Sequence, residues 1–156
     1  MIRVLSRGLA MTRSLCIALF LPLSYTCLTR GDDTKDDAKS MDGTWLASAA
    51  ELGDEKFSDE VRKTIKLVIG DGKYTVTVGK NPDRGTVKVD PSKKPKEMDI
   101  IGTEGPNKGK TILAIYEMTD DTLRICYDLS GKARPSEFKT SKDTKLFLVT
   151  YKREKP

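Results

Sequence analysis

The sequence contains no histidine and only three cysteines. Without histidine, serine–histidine and cysteine–histidine catalytic pairs and every histidine metal site are excluded. Cys16 and Cys27 lie close to the start, so Cys126 is alone in the rest of the chain and has no disulfide partner there. Aromatic residues make up only 6% of the chain, which disfavours a stacking platform for single-stranded nucleic acid. We expect no metal and no cofactor.

One long hydrophobic run, residues 14–28, follows three arginines and contains no charge. It is shorter than the ~20 residues that a membrane-spanning helix requires. A basic N-terminal region, a short apolar core and small residues at a cleavage site predict a signal peptide over residues 1–31. An uncleaved anchor is the alternative, and Met11 is a second candidate start. We therefore expect export across the cytoplasmic membrane, to the periplasm or outside the cell.

Cys27 is a candidate lipidation site, but the preceding Ser24, Tyr25 and Thr26 fit a lipoprotein signal poorly, so lipid anchoring is not expected. Residues 1–31 hold four arginines and no acidic residue, and their removal lowers the formal net charge from +5 to +1. The excess of basic over acidic residues therefore lies mainly in the predicted signal peptide. A nucleic-acid partner is therefore not expected.

Residues 32–40 are charged and polar, with one alanine as the only apolar residue. Such a stretch buries too little surface to offset the entropy lost on ordering, which predicts a flexible linker. Residues 41–156 remain, and they are numerous enough for one domain with a modest core.

This domain shows about eight short, turn-bounded stretches with strand patterns. Ile65, Leu67 and Ile69 alternate on one face, and Asp71-Gly72 is a two-residue hairpin signal. Residues 54–63 are polar and predict one short helical turn at most. Elsewhere no stretch of ~10 residues has helical periodicity.

A second group of stretches extends this pattern. A turn is predicted at residues 81–83, before the strand that contains Val87 and Val89. The whole pattern predicts an all-β fold, an up-and-down antiparallel barrel of about eight strands, with a sandwich as the alternative. The interior of such a barrel is filled by side chains or holds one small ligand, and the sequence leaves both open.

Residues 41–155 resemble a family of uncharacterised exported proteins of planctomycete bacteria with lipocalin-like, calycin-type domains. The motifs that carry the resemblance are Gly-Thr-Trp at 43–45, Pro-Lys-Glu-Met-Asp-Ile at 95–100, Gly-Pro-Asn-Lys-Gly-Lys-Thr at 105–111, Ile-Tyr-Glu at 115–117, Leu-Arg-Ile-Cys-Tyr at 123–127 and Arg-Pro-Ser-Glu-Phe at 134–138. Ala114 departs from the family, whose members usually carry glycine there. The resemblance implies a barrel and an extracytoplasmic location, but no activity.

The resemblance also implies a structural role for Gly43, Trp45 and Arg153. In lipocalin-like barrels the tryptophan plugs one end and the arginine lies across its indole ring. A guanidinium stacked on an indole contributes about 0.5–2 kcal/mol. We expect these residues to close the barrel and not to bind a ligand.

The segment 105–111 ends in Gly-Lys-Thr, as a phosphate-binding loop does. However, the glycine that this motif needs is replaced by Glu104, and the following residues have a strand pattern where the motif needs a helix. A glycine-rich turn between two strands is the prediction.

The candidate ligand-binding residues are Tyr116, Arg124, Cys126, Tyr127 and Arg134. Alternation places Arg124 and Cys126 on one face of a strand and Tyr127 on the other, so Cys126 and Tyr127 cannot both point into the barrel. An inert Cys126 thiol that only packs is the favoured interpretation, the alternative being that Arg124 lowers its pKa. Arg134, in a long loop, either meets an anionic ligand or pairs with Glu137 or backbone carbonyls.

The sequence thus predicts a small exported monomeric barrel that binds a small molecule. The alternative is a structural or protein-interaction module of the cell envelope with a filled barrel. An enzyme that uses Cys126 or carboxylates ranks last, because no nucleophile–base spacing is visible. We therefore expect no catalytic residue.

Overall fold

The computed structural model describes residues 33–155, with side chains from residue 37 onward. The predicted signal peptide, its cleavage site and Cys27 lie outside the described residues. Within this range the elements are α1 (Asp33–Ser40), β1 (Gly43–Leu52), β2 (Glu55–Lys56), α2 (Asp59–Arg62), β3 (Lys66–Gly70), β4 (Lys73–Val78), β5 (Asn81–Asp90), β6 (Lys96–Glu104), β7 (Thr111–Thr119), β8 (Thr122–Asp128) and β9 (Leu146–Arg153).

The strands form one antiparallel sheet that closes on itself. β1 pairs with β3, each later strand pairs with the next one in the chain, and β9 returns to pair with β1. The short β2 adds two residues beside the end of β1. The result is an eight-stranded up-and-down barrel, and the predicted all-β fold class is confirmed. The helical turn predicted within residues 54–63 is α2, whose first turn is capped by Ser58.

The turns follow local sequence signals with one exception. Asp71 and Gly72 have φ angles of 51° and 70°, the left-handed values that a tight hairpin turn between twisted strands requires. The turn predicted at residues 81–83 is wrong. Those residues belong to β5, and the chain reverses two residues earlier, at Gly79, whose φ is 65°.

The two ends of the barrel differ. α1 and the residues that join it to β1 cover the end at which β1 begins, which we call the closed end. The fully buried Met41 and Trp45 fill the interior there. At the opposite end, which we call the open end, lie the turn between β4 and β5, the turn between β6 and β7 and the long loop between β8 and β9. The interior core consists of Met41, Trp45, Ala47, Ala50, Ile65, Leu67, Ile69, Tyr74, Met98, Ile100, Ile112, Ala114, Tyr116, Leu123, Ile125, Val149 and Tyr151.

Helix α1 occupies residues for which the sequence predicts a flexible linker. Asp37 explains the difference, because its Oδ2 accepts hydrogen bonds from the Tyr116 hydroxyl at 2.7 Å and from Lys96 Nζ at 2.6 Å. Tertiary contacts can stabilise a short helix that its own composition does not favour. The linker prediction considered composition alone and therefore missed these contacts.

The loop of residues 129–145 folds back over the outer face of β8. Its first turn is organised by Asp128, whose carboxylate accepts hydrogen bonds from the backbone N–H groups of Ser130, Lys132 and Ala133. Cys126 and its cross-strand neighbour Ile115 lie on the outer face but are fully buried, because this loop covers them. No helix among residues 33–155 is long and apolar enough to cross a membrane.

Candidate functional site

The open half of the barrel contains a cavity of about 370 Å³. Met98 and Ile100 lie deep within it, and its mouth lies at the open end, where Val78 and Leu129 are exposed. Its apolar lining further includes Leu67, Ile69, Val76, Val87, Ile112, Ile125 and Phe147. The volume falls within the ~300–1,000 Å³ that is usual for small-molecule sites. Met41 and Trp45, which fill the interior at the closed end, do not line this cavity.

A carboxylate, Asp83, lines this apolar cavity and is 95% buried, with an exposed fraction of 5%. Its Oδ2 accepts a hydrogen bond from the Tyr74 hydroxyl at 2.7 Å and another from Asn107 Nδ2 at 3.0 Å. Its Oδ1 accepts a third from the Asn107 backbone N–H at 2.9 Å. We call Tyr74, Asp83 and Asn107 the polar triad.

The backbone around the polar triad is shaped by glycine. Tyr74 pairs with Gly85 across β4 and β5, and a Cβ on Gly85 would lie 2.8 Å from Tyr74 Cε1 and would overlap the Ile101 carbonyl. Burial, reinforced by the hydrogen bond to Asp83, raises the pKa of Tyr74 far above its usual value. Tyr74 is therefore a neutral hydroxyl that donates to the carboxylate.

A second polar group in the cavity is a pair of tyrosines. The hydroxyls of Tyr127 and Tyr151 lie 3.4 Å apart, and the Tyr127 ring stacks on Phe147 with ring centroids 5.8 Å apart. Burial raises the pKa of Tyr127 well above its usual value and that of Tyr151 to about 12. Both side chains are neutral at physiological pH and add hydroxyl groups to a mostly apolar wall.

Of the five candidate ligand residues, Tyr127 is the one that lines the cavity. Tyr116 is in the interior at the closed end, where it is 1% exposed and donates its hydroxyl hydrogen bond to Asp37. Burial, followed by the influence of Asp37, raises the pKa of Tyr116. The Tyr116 hydroxyl thus anchors α1.

Arg124 and Cys126 lie on the outer face of the barrel, opposite to Tyr127. Arg124 pairs with Glu117 at 3.1 Å, donates to the Phe138 carbonyl at 3.1 Å and lies 5.1 Å from the Phe138 ring centroid. Burial raises the pKa of the Cys126 thiol even though Arg124 is near. This agrees with the favoured interpretation of an inert thiol that packs, and not with the alternative of a lowered thiol pKa. Both side chains hold the covering loop in place.

Arg134 caps backbone carbonyls, which is one of the two alternatives that its sequence position left open. Its Nη1 donates to the carbonyls of Met98 and Ala114 at 2.8 and 2.7 Å. Its acidic partners are Asp99 and Glu97, at 2.5 and 3.3 Å, and not Glu137. The guanidinium fastens the loop to β6 and β7 and is not free to bind an anion.

A second depression, of about 850 Å³, follows the same loop along the outer surface. Its wall mixes the lysines 132 and 139 with the acids Asp128 and Glu137, so it presents no concentrated charge of one sign. Most of its lining residues are polar or charged, whereas most of those that line the cavity are apolar. The interior cavity is the better candidate site.

Gly43, Trp45 and Arg153 lie together at the closed end. The Trp45 indole is fully buried and donates a hydrogen bond to the Met41 carbonyl at 2.9 Å. Arg153 Cζ lies 4.1 Å from the centroid of the indole ring. Gly43 has a φ of 140°, and a Cβ there would lie 2.8 Å from Arg153 Nη1. These contacts are structural, and none of the three residues lines the cavity.

The polar triad is absent from the candidates taken from the sequence. The sequence predicts a turn at residues 81–83 and a glycine-rich turn around Asn107, and turn residues are not expected in the interior. A usable signal existed in the alternation of Val87 and Val89, which continues backward through Gly85 to Asp83 on the same face. Pro82 concealed it, because proline usually marks the end of a strand.

Where the structure describes side chains, in residues 37–155, no three Asp, Glu or Cys side chains are grouped so that they could hold a metal ion. No protein-family model matches the chain, and no curated protein or solved structure matches it. The cavity and its polar groups are therefore the features from which a function is inferred.

Proposed function

We propose that this protein binds one small, predominantly apolar molecule inside the open half of its barrel. The observation that carries the proposal is the cavity of about 370 Å³, which has an apolar wall and a few polar groups at fixed positions. Burial of apolar ligand surface supplies about 25 cal/mol per Å², and the polar groups orient the ligand. A scaffold with a filled barrel, the alternative function, has no need of such a space.

The ligand enters at the open end. The cavity mouth lies between the β4–β5 turn, the β6–β7 turn and the start of the long loop, whereas α1 covers the closed end. The apolar part of the ligand then contacts Met98 and Ile100 at the bottom of the cavity, and its polar part lies nearer to the mouth. No bond is made or broken, and the protein acts as a carrier or receptor and not as an enzyme.

A neutral fluorescent probe, N-phenyl-1-naphthylamine, tests this proposal. We expect saturable binding to the full chain and a loss of affinity of at least about tenfold, or 1.4 kcal/mol, in Val87→Phe. Val87 lines the cavity, and the larger ring occupies ligand space. Thr86→Phe is the matched control, because Thr86 is the next residue on the same strand and points outward. Equal probe affinity in both variants, or no binding by the wild type, would contradict the proposal.

The extracytoplasmic location belongs to the same proposal. It is supported by the arginines and the apolar run of residues 1–31 and by the resemblance of residues 41–155 to exported lipocalin-like domains. Fusion of residues 1–40 to a reporter enzyme that is active only outside the cytoplasm tests it. Activity is expected with the native leader and is expected to be lost when Leu19 and Leu21 are both changed to Arg.

A further inference from the structure

Asp83 is a carboxylate inside an apolar cavity. It is 5% exposed, and it faces the interior from β5, the strand that starts at the open end. Removing a charge from water into apolar surroundings is costly unless the charge is paired. Its position calls for an explanation that the apolar ligand site alone does not supply.

Every hydrogen bond that the structure gives the Asp83 carboxylate is one that it accepts. The backbone N–H and the side-chain amide N–H of Asn107 can only donate, and the neutral Tyr74 hydroxyl donates as well. Oδ2 accepts two of these bonds and Oδ1 accepts one, so Oδ1 retains capacity for a further donor. All three donors are uncharged groups.

No cationic side chain of residues 37–155 forms an ion pair with this carboxylate. The arginine and lysine ion pairs of the described chain involve other carboxylates, such as Arg134 with Asp99 and Arg84 with Glu104. A buried carboxylate that lacks a counter-ion attracts a cationic group strongly, since the surrounding apolar wall screens the attraction weakly.

We propose that the ligand is an organic amine, whose ammonium group binds Asp83 while its apolar part fills the cavity. This inference rests on the proposed function and names the ligand class. Asp83 lies two residues from the start of β5, near the mouth, so the charged group remains close to water while the apolar chain extends towards Met98 and Ile100. A divalent metal ion fits less well, because it needs several oxygen ligands and Asp83 is not grouped with other acids.

A purely structural role is the competing explanation. Asp83 fastens the β6–β7 turn to β5 through Asn107, and the chain is tight there, since a Cβ on Gly105 would lie 2.6 Å from the Pro82 carbonyl. That role needs no ligand and predicts no preference for amines. The two explanations therefore differ in a binding measurement.

Three ligands of six carbon atoms each, hexylamine, 1-hexanol and hexanoate, test the proposal by displacing N-phenyl-1-naphthylamine from the full-length protein at pH 7. Hexylamine is protonated at this pH, as a lysine side chain is. We expect it to displace the probe at a concentration at least about tenfold lower than 1-hexanol does. Hexanoate should be the weakest, because its charge has the same sign as Asp83. An equal or reversed order in the wild type would overturn the proposal.

Asp83→Asn provides the second arm, since it keeps the shape and removes the charge. Its preference for hexylamine over 1-hexanol should disappear while the probe still binds. Glu104→Gln is the matched control, because it removes an exposed carboxylate from the end of β6 without touching the cavity, and it should keep the preference. If Asp83→Asn keeps the preference, the amine is recognised elsewhere and the proposal fails. If that variant does not fold, the wild-type order and the Glu104→Gln control still decide.

Failure of the proposed function is recognised separately. If the probe does not bind the wild type at all, hexylamine is titrated directly, and the chemical shift of the Asn107 side-chain amide is followed by NMR. A saturable shift with hexylamine and none with 1-hexanol would support the amine site even then. No shift with hexylamine would overturn the amine site.

Discussion

The guanidinium carbon of Arg153 lies 4.1 Å from the centroid of the Trp45 ring, and the two residues are paired across β1 and β9. The same guanidinium donates to the carbonyls of Ser40 and Asp42 at 2.7 Å each. One side chain thus joins the last strand to the first strand and to the end of α1. Because β1 and β9 are the strands that close the barrel, this contact stabilises the closure itself.

Arg153→Met should therefore lower the free energy of unfolding by about 2–4 kcal/mol, since two hydrogen bonds from a charged donor and a cation–π contact are lost. Urea denaturation followed by the fluorescence of Trp45 measures this. The control is Lys152→Met, on the same strand but exposed, for which we expect a change of about 0.5 kcal/mol or less. Equal destabilisation by both substitutions would assign the effect to lost charge and not to the closure.

Local sequence signals account for most of the fold. The alternation of Ile65, Leu67 and Ile69 correctly places all three in the interior, and Asp71-Gly72 correctly marks a hairpin. These signals are local because side-chain alternation and turn φ angles depend on neighbouring residues. Closure of the sheet then follows from pairing consecutive strands and returning β9 to β1.

The site was predicted less well, because its contacts join distant parts of the chain. Asp83 and Asn107 are 24 positions apart, and Asp37 and Tyr116 are 79 apart. No periodicity within one strand reveals such pairs. Arg134 shows the same limit, since its carbonyl partners are on β6 and β7 and become evident only when the loop is folded against them.

Gly85 provides a test of the close packing around the polar triad. Gly85→Ala should destabilise the protein by at least about 3 kcal/mol or prevent folding, because the new methyl group would overlap the Ile101 carbonyl and crowd Tyr74. Gly70→Ala, at the end of β3, is the control, because nothing lies within 4 Å of the added Cβ. We expect it to be neutral or to stabilise by about 0.4–1 kcal/mol.

The comparison is made by equilibrium unfolding of both glycine variants at the same pH. Soluble, folded Gly85→Ala with wild-type stability would show that the β5–β6 spacing relaxes easily. In that case the polar triad would not be held by the packing around it.

Asp128 predicts a pH-dependent stability. Burial alone would raise its pKa, but hydrogen bonds from Ala133, Ser130 and Lys132 outweigh burial and lower the pKa below the usual 3.8. A carboxyl whose pKa is lowered on folding stabilises the protein above its unfolded pKa, and this contribution is lost as the pH falls through the folded pKa. Asp128→Ala should therefore cost about 2–3 kcal/mol at neutral pH.

The difference between wild type and Asp128→Ala should shrink as the pH is lowered below the usual pKa of 3.8. Urea unfolding at a series of pH values measures it. Glu137→Ala, an exposed change in the same loop, is the control and should alter stability at neutral pH by about 0.5 kcal/mol or less. A difference that grows towards low pH would have the wrong sign and would refute the role given to the Asp128 hydrogen bonds.

The Cys126 thiol reports on the same loop. It is fully buried with Sγ 3.9 Å from the Lys139 carbonyl, and burial raises its pKa, so both access and thiolate formation are suppressed. N-ethylmaleimide should label Cys126 slowly in the native protein, at a rate set by loop opening. Asp128→Ala should accelerate labelling by about tenfold for each 1.4 kcal/mol by which it favours the open loop, whereas Glu137→Ala should not. Peptide-resolved mass spectrometry distinguishes Cys126 from Cys16 and Cys27. Labelling of the native protein as fast as of the urea-unfolded protein would mean that the loop does not cover the thiol in solution.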